Sequence, residues 1–247
     1  MQPAERPLEP AWVKHAVLLL GLGDTHGDFA PLFAAARREP RARAILQVGD
    51  LTAGKAGRDQ RPDDHPATLA QLPIPLVWVH GNHEHWETLG LGEPGPATPG
   101  IHLWPGADYV VPETNIRVVG LPGNYAPTWY EREKPFPGDR VRHFNLDDLN
   151  AVLRFERPSV LLMHEAFRGQ IAGRIGMLGV AVLSRLVRLL RPEVCLTGHH
   201  HLFAVKEQGP TLAIALPRAQ EGYTRLYFTP NGQRLGWEFV PFEQTVH

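Results

Sequence analysis

The sequence predicts an α/β fold built on a partly parallel sheet covered on both faces. Three observations carry this. Short apolar runs recur along the chain, helical stretches lie between several of them, and almost every run stops at a glycine or a polar cluster. Runs of four to eight residues rich in Val, Leu and Ile read as strands buried on both faces, and alternation with helices gives a sheet with parallel pairs.

The runs are residues 16–22 before Gly23-Asp24, 44–48 before Gly49-Asp50, and 76–79 before His80-Gly81-Asn82-His83. They continue with 115–119, 159–163 before His164-Glu165, and 194–197 before Gly198-His199-His200-His201. Helices are expected over 29–39, 147–155 and 178–190. In the last of these Val182, Leu183, Leu186, Val187, Leu189 and Leu190 oppose Arg185, Arg188 and Arg191, which reads as a solvated arginine face. The tail differs: 211–216, 224–229 and 235–240 read as successive strands in an antiparallel continuation, so that two sheets can pack face to face. Two segments read as long loops, 52–66 and 125–142, and long loops in compact domains are often functional.

The chain has 247 residues, 43% hydrophobic and 21% charged, which suits one large domain. Residues 1–15, with Pro3, Pro7 and Pro10 among charged residues, are expected to be a flexible lead-in rather than a signal peptide; residues 16–247 are expected to form one domain. A net charge of −1 gives no global basic field for nucleic acid or an anionic membrane, and no run has the length of a membrane span. The one cysteine, Cys195, sits in an apolar run and is expected to be buried; a single thiol makes cytoplasm the expected location.

The 13 histidines are the unusual feature, because they concentrate after the apolar runs. In open α/β sheets ligands bind just beyond the carboxyl ends of strands. Asp24, His26, Asp50, Asn82, His83, His164, His199 and His201 converge on that edge. Carboxylate, amide and imidazole donors without a thiolate suit manganese, iron or zinc in a reactive site rather than a structural zinc site. Each motif alone is common in proteins. Their combination, each at a strand end, is not.

Asp24-Thr25-His26-Gly27, Gly49-Asp50, Gly81-Asn82-His83-Glu84, His164-Glu165 and Gly198-His199-His200-His201 together resemble the five signature blocks of the calcineurin-like metallophosphoesterases. The resemblance implies a four-layer α/β/β/α sandwich with a dinuclear site between the sheets. It implies that Asp24, His26, Asp50 and His201 hold one divalent ion. Asp50, Asn82, His164 and His199 would hold the other, with Asp50 bridging. Manganese is the expected ion, with iron or zinc as alternatives. His83 would be a catalytic histidine that does not ligate metal. His200 is expected to point away, and Glu84 and Glu165 either orient imidazoles or serve as surface or cap residues.

The implied chemistry is hydrolysis of a phosphate ester by in-line attack of a hydroxide bridging two ions, with His83 protonating the leaving oxygen. Protein phosphatases of the family typically place one arginine shortly after the second aspartate and another before Gly-Asn-His-Glu. Here Thr52-Ala53-Gly54 and His80 stand in those places. A dianionic monoester is then harder to hold, and phosphodiesters, of nucleotide or cyclic-nucleotide type, are the expected substrates. Monoesters are the alternative, with Arg58, Arg61 or Arg168 reaching in. Residues 123–143 are expected to face the substrate, with Tyr125, Trp129, Tyr130 and Arg132 able to stack a base and meet a phosphate, or else to anchor a surface loop. A nucleotide or short nucleic acid is the expected partner, without a membrane or an obligate protein partner. A non-catalytic metal-binding scaffold is the remaining alternative; loss of ligands would mark it, and the set here is intact.

Overall fold

A computed structural model describes residues 10–52, 66–84, 89, 99–136, 138–173 and 176–243. Two six-stranded sheets face each other. One has the order β14 (Arg234–Pro241), β13 (Gly222–Phe228), β1 (Val17–Leu22), β2 (Ile45–Gln47), β3 (Leu76–Trp78), β4 (Ile101–His102). The other runs β11 (Ala204–Gln208), β12 (Thr211–Ala215), β10 (Val194–Thr197), β7 (Val160–Met163), β6 (Arg117–Leu121), β5 (Asp108–Val110). In the first sheet β1 to β4 are parallel, with β13 and β14 added antiparallel. In the second, β6, β7, β10 and β12 are parallel, with β5 and β11 antiparallel at the edges. A two-stranded hairpin, β8 (Ala172–Gly173) with β9 (Gly176–Met177), lies apart from both.

Three apolar layers explain the stacking. Between the sheets lie Leu19, Leu46, Val48 and Leu226 from one side, and Val118, Leu162, Leu196 and Ile214 from the other. The outer face of the first sheet, with Leu18, Leu20, Leu22, Ile45 and Trp78, is covered by Leu32 and Ala35 of α1 (Ala30–Arg38). The outer face of the second, with Val119, Leu161, Met163 and Cys195, is covered by α3 (Leu146–Val152) and α4 (Ala181–Leu190). Strands covered on both faces cannot alternate polar and apolar residues, which is why they read as continuous apolar runs. The result is an α/β/β/α sandwich.

The helices follow their sequence signals. Leu183, Leu186, Val187 and Leu190 of α4 are buried at helical spacing while Arg185 and Arg188 face water. Asn145 caps α3, accepting from the Asp148 N–H while the Asp148 carboxylate accepts from the Asn145 N–H. Cys195 is fully buried and its apolar surroundings push the thiol pKa up.

The tail departs from expectation in one strand. Residues 211–216 do not continue into the last two strands; β12 joins the second sheet, parallel to β10. It is buried along its whole length, as a central strand must be, whereas β13 and β14 extend the other sheet. Of the lead-in, residues 1–9 lie outside the described residues. Ala11–His15 forms one 3-10 turn, burying Val13 and setting Trp12 edge-on to Tyr227 at 5.5 Å.

Candidate metal centre

The site is assembled by turns at the carboxyl ends of five parallel strands. Asp24 and His26 follow β1, Asp50 follows β2, and Asn82 and His83 follow β3; His164 follows β7, and His199 and His201 follow β10. The first three belong to one sheet and the last two to the other, so the site sits in the cleft where the sheet edges meet. His26, Asp50, His199 and His201 all have left-handed backbones, with φ of 48°, 50°, 67° and 54°. Such angles cost non-glycine residues roughly 1–2 kcal/mol each, and they turn these side chains sharply off the strand ends.

Backbone hydrogen bonds tie the turns together. The Thr25 and His26 N–H groups donate to the Asp50 carbonyl, and Gly198 N–H donates to the His164 carbonyl across the second sheet. Gly81 lies where a Cβ would collide with Asp50 Oδ1 and with the His164 ring, so only glycine lets β3's turn close on them.

Two donor clusters result, sharing Asp50. One is Asp24, His26, Asp50 and His201; the other is Asp50, His164 and His199. In the first, His201 Nε2 is 2.9 Å from Asp24 Oδ2 and 2.9 Å from His26 Nε2, and His26 Nε2 is 3.9 Å from Asp50 Oδ2. In the second, His164 Nε2 is 3.4 Å from Asp50 Oδ1 and 3.0 Å from Asn82 Oδ1. The two oxygens of Asp50 thus serve opposite clusters.

The donor set fits divalent cations. Asp24 and Asp50 are 0% and 1% exposed, and among the described residues the cationic groups within 4 Å of their carboxylates are histidines. Two buried carboxylates side by side demand positive charge. His164 Nδ1 lies 2.9 Å from the Val48 carbonyl. A carbonyl only accepts, so Nδ1 carries the proton and Nε2 keeps its lone pair for an ion. Burial works to lower the His164 pKa, but the Asp50 and Asp24 carboxylates outweigh it and the net shift is upward. Burial lowers His26. Burial also works to raise Asp50, yet His164, the His83 N–H and His26 bring it below the usual carboxylate value.

His83 belongs to neither cluster. It is exposed at the mouth, its N–H donates to Asp50 Oδ1 at 2.7 Å, and its ring centroid is 5.8 Å from that of His26. Among the described residues Glu84 meets backbone amides and a hydroxyl rather than an imidazole. Its buried carboxylate accepts from the N–H groups of Gly81, Leu51 and Thr52 and from the Thr52 hydroxyl, bracing the turns that carry Asp50 and Asn82. Burial and the charge of Asp50 push its carboxyl up to about 7 against those donors. Glu84→Ala is therefore expected to destabilise the ion-free chain by roughly 1–3 kcal/mol for each amide left unpaired. Urea denaturation checks this, and an unchanged midpoint would contradict the bracing role. Glu165 lies 3.3 Å from His200 Nε2 and 3.9 Å from His199 Nε2, so His200 turns from the clusters but ends on this carboxylate.

The expected substrate loop is tied to the site at its base, where Gly123 N–H donates to the His80 carbonyl and Asn124 Oδ1 meets His143 Nδ1 at 2.8 Å. It carries α2 (Pro127–Tyr130). Tyr125 and Tyr130 pack on each other at 5.3 Å and on Phe144, which lies in the core. Trp129 lies against Phe136 at 5.1 Å, and the Arg132 guanidinium sits over its ring at 4.7 Å. Arg58 and Arg61 lie outside the described residues; Arg168 is exposed.

One arginine escaped the sequence reading. Arg218 Nε lies 3.2 Å from His201 Nδ1. It stands in the turn after β12, a place marked by no motif, and only the packing of that turn on Asp24 brings it to the site. Its neighbour Ala219 donates its N–H to the Asp24 carbonyl.

No helix among the described residues is long and apolar enough to cross a membrane. No protein of curated function matches the chain significantly. Among solved structures, a protein assigned as a 5′-nucleotidase from Staphylococcus aureus aligns with TM-score 0.66 and 14% identity over 94% of this chain and 56% of its own. TT1561 of Thermus thermophilus aligns with TM-score 0.62 and 14% identity, over 92% of this chain and 99% of its own. A 5′-nucleotidase precursor from Thermus thermophilus gives TM-score 0.51 and 16% identity, over 91% of this chain and 54% of its own. The chain thus spans about half of each of the two nucleotidases, and at such identities the likeness is one of fold. The profile of the calcineurin-like phosphoesterases matches residues 18–203, a span that runs from β1 past His201 and takes in every donor of both clusters. The chain, with a site whose donors point to two divalent ions, belongs to the calcineurin-like phosphoesterase family.

Proposed function

We propose that the chain is a metal-dependent phosphodiesterase acting on esters of nucleotide or cyclic-nucleotide type. The two donor clusters joined through Asp50, with His83 exposed beside them, are the observation that carries this reading. Asp24, His26, Asp50 and His201 would hold one divalent ion; Asp50, Asn82, His164 and His199 would hold the other, with manganese the expected metal. When bound, a pair of such ions supplies Lewis acidity toward phosphate oxygens and makes water acidic enough to serve as a nucleophile near neutral pH.

The side chains supply the rest. The Val48 carbonyl fixes the His164 tautomer, and Asp50 keeps the two halves of the site in register. His83, exposed and held through its own N–H by Asp50, can give a proton to the departing ester oxygen. His80 stands where a second phosphate-gripping arginine would be, and it is not a cation. It is buried and stacked on His102 at 5.2 Å, with its Nδ1 3.0 Å from His102 Nε2. Burial and His102 hold its pKa well below the ordinary value. A neutral residue there favours a phosphate with one negative charge over one with two. Trp129 and Arg132, which pack on each other, would contact a base, while Tyr125 and Tyr130 pack on Phe144 of the core.

Higher kcat/KM is expected for aryl diesters than for matched aryl monoesters, measured with Mn²⁺ alongside cyclic nucleotides and short oligonucleotides. Trp129→Ala is expected to weaken a nucleotide diester by about 5- to 100-fold, the worth of one stacked base, and to spare a small aryl diester. Better turnover of the monoesters would overturn the diester reading while leaving the hydrolase intact.

A further inference from the structure

We propose that Arg218, placed beside His201 at the rim of the metal clusters, is the residue that binds the charged phosphate oxygen of the substrate. The inference rests on the hydrolase reading above and supplies the positive charge which that reading otherwise lacks.

The placement of Arg218 is built into the fold. It follows Pro217 and precedes the 3-10 turn Ala219–Glu221. That turn is pinned to the site on both sides: Ala219 N–H donates to the Asp24 carbonyl, and the Gln220 amide donates to the Thr25 carbonyl at 3.1 Å and to Asp28 Oδ2 at 3.2 Å. Gly23 admits the approach, because a Cβ there would collide with the Pro217 carbonyl. An exposed guanidinium is thereby fixed at the rim of the cluster formed by Asp24, His26, Asp50 and His201.

Arg218 Nε donates to His201 Nδ1 at 3.2 Å, which takes up one of the five N–H donors of a guanidinium. The group stands exposed at the mouth of a site whose substrate is anionic, with a planar fork of donors suited to phosphate oxygens. One arginine, rather than two, matches a phosphate with one negative charge.

Two affinities separate the roles open to Arg218. A phosphate-binding residue assists the anion and leaves the cation alone, whereas a residue that merely propped His201 in place would assist the cation. Calorimetric titrations of the chelator-stripped protein with Mn²⁺, and of the Mn²⁺-saturated protein with inorganic phosphate, read the two affinities without turnover. In Arg218→Gln, Mn²⁺ affinity is expected to be retained and phosphate to bind about tenfold or more weakly. Arg218→Lys, which keeps the charge without the fork, should fall between the wild type and Arg218→Gln for phosphate. Weaker Mn²⁺ binding in Arg218→Gln, or unchanged phosphate binding, would overturn the proposal. If the wild-type protein bound both probes as described and yet hydrolysed no ester, the hydrolase reading would fail and this one would stand.

Discussion

Asp50→Ala is expected to reduce hydrolysis by on the order of 10³-fold or more and to leave the protein with at most one firmly bound ion. The reason is geometric. One Asp50 oxygen faces His26 and the other faces His164, so a single substitution takes a donor from both clusters. Asp50 also receives the His83 N–H, so the variant frees the backbone that positions the expected proton donor. Its effect on the ion-free fold should be small by comparison. The lost hydrogen bond is offset by removal of a carboxylate that is almost fully buried beside Asp24. Metal analysis after dialysis, alongside turnover of an aryl diester, separates loss of the site from loss of the fold. Full activity with a full complement of metal would exclude Asp50 as the shared donor.

His83→Ala should behave differently. It is exposed and in neither cluster, so both ions and the thermal stability are expected to be retained. General acid catalysis typically contributes about 10²- to 10⁴-fold, and that factor should be lost on alkyl and nucleoside esters, whose leaving oxygens need a proton. An activated nitrophenyl ester, which departs as a stable anion, should lose far less. The ratio of the two losses is the readout. Equal losses on both esters would assign His83 to holding phosphate rather than to giving a proton.

The fold and the donors were legible in the sequence for one physical reason. Central strands buried on both faces leave unbroken apolar runs, and the turns that follow them must carry the polar residues. Asp24, Asp50, Asn82, His164, His199 and His201 could therefore be placed at one edge before any pairing was known, and the structure brings them together there. What could not be read was which sheet each run joins. Residues 211–215 and 222–228 are both apolar and both close to the chain's end, yet one lies beside β10 and the other beside β1. The edge strands β4, β5 and β11 were missed because they are two to five residues long and half exposed, too short for alternation to register. Arg218 was missed for a related reason. Nothing in Leu216-Pro217-Arg218-Ala219 signals chemistry; its meaning comes from a turn that folds back on Asp24. In the aromatic segment, whose composition reads as a stacking platform, Tyr125 and Tyr130 pack on each other and on Phe144 while staying half-exposed.

Two ions sharing Asp50 would make this site a phosphoesterase. Adding Mn²⁺ stepwise to chelator-stripped protein, at a protein concentration well above the dissociation constants, and measuring diester hydrolysis at each step tests this most directly. No turnover is expected in the stripped protein, and activity should rise until two equivalents per chain are bound, then level. Turnover that persists without metal, or that is complete at one equivalent, would contradict this.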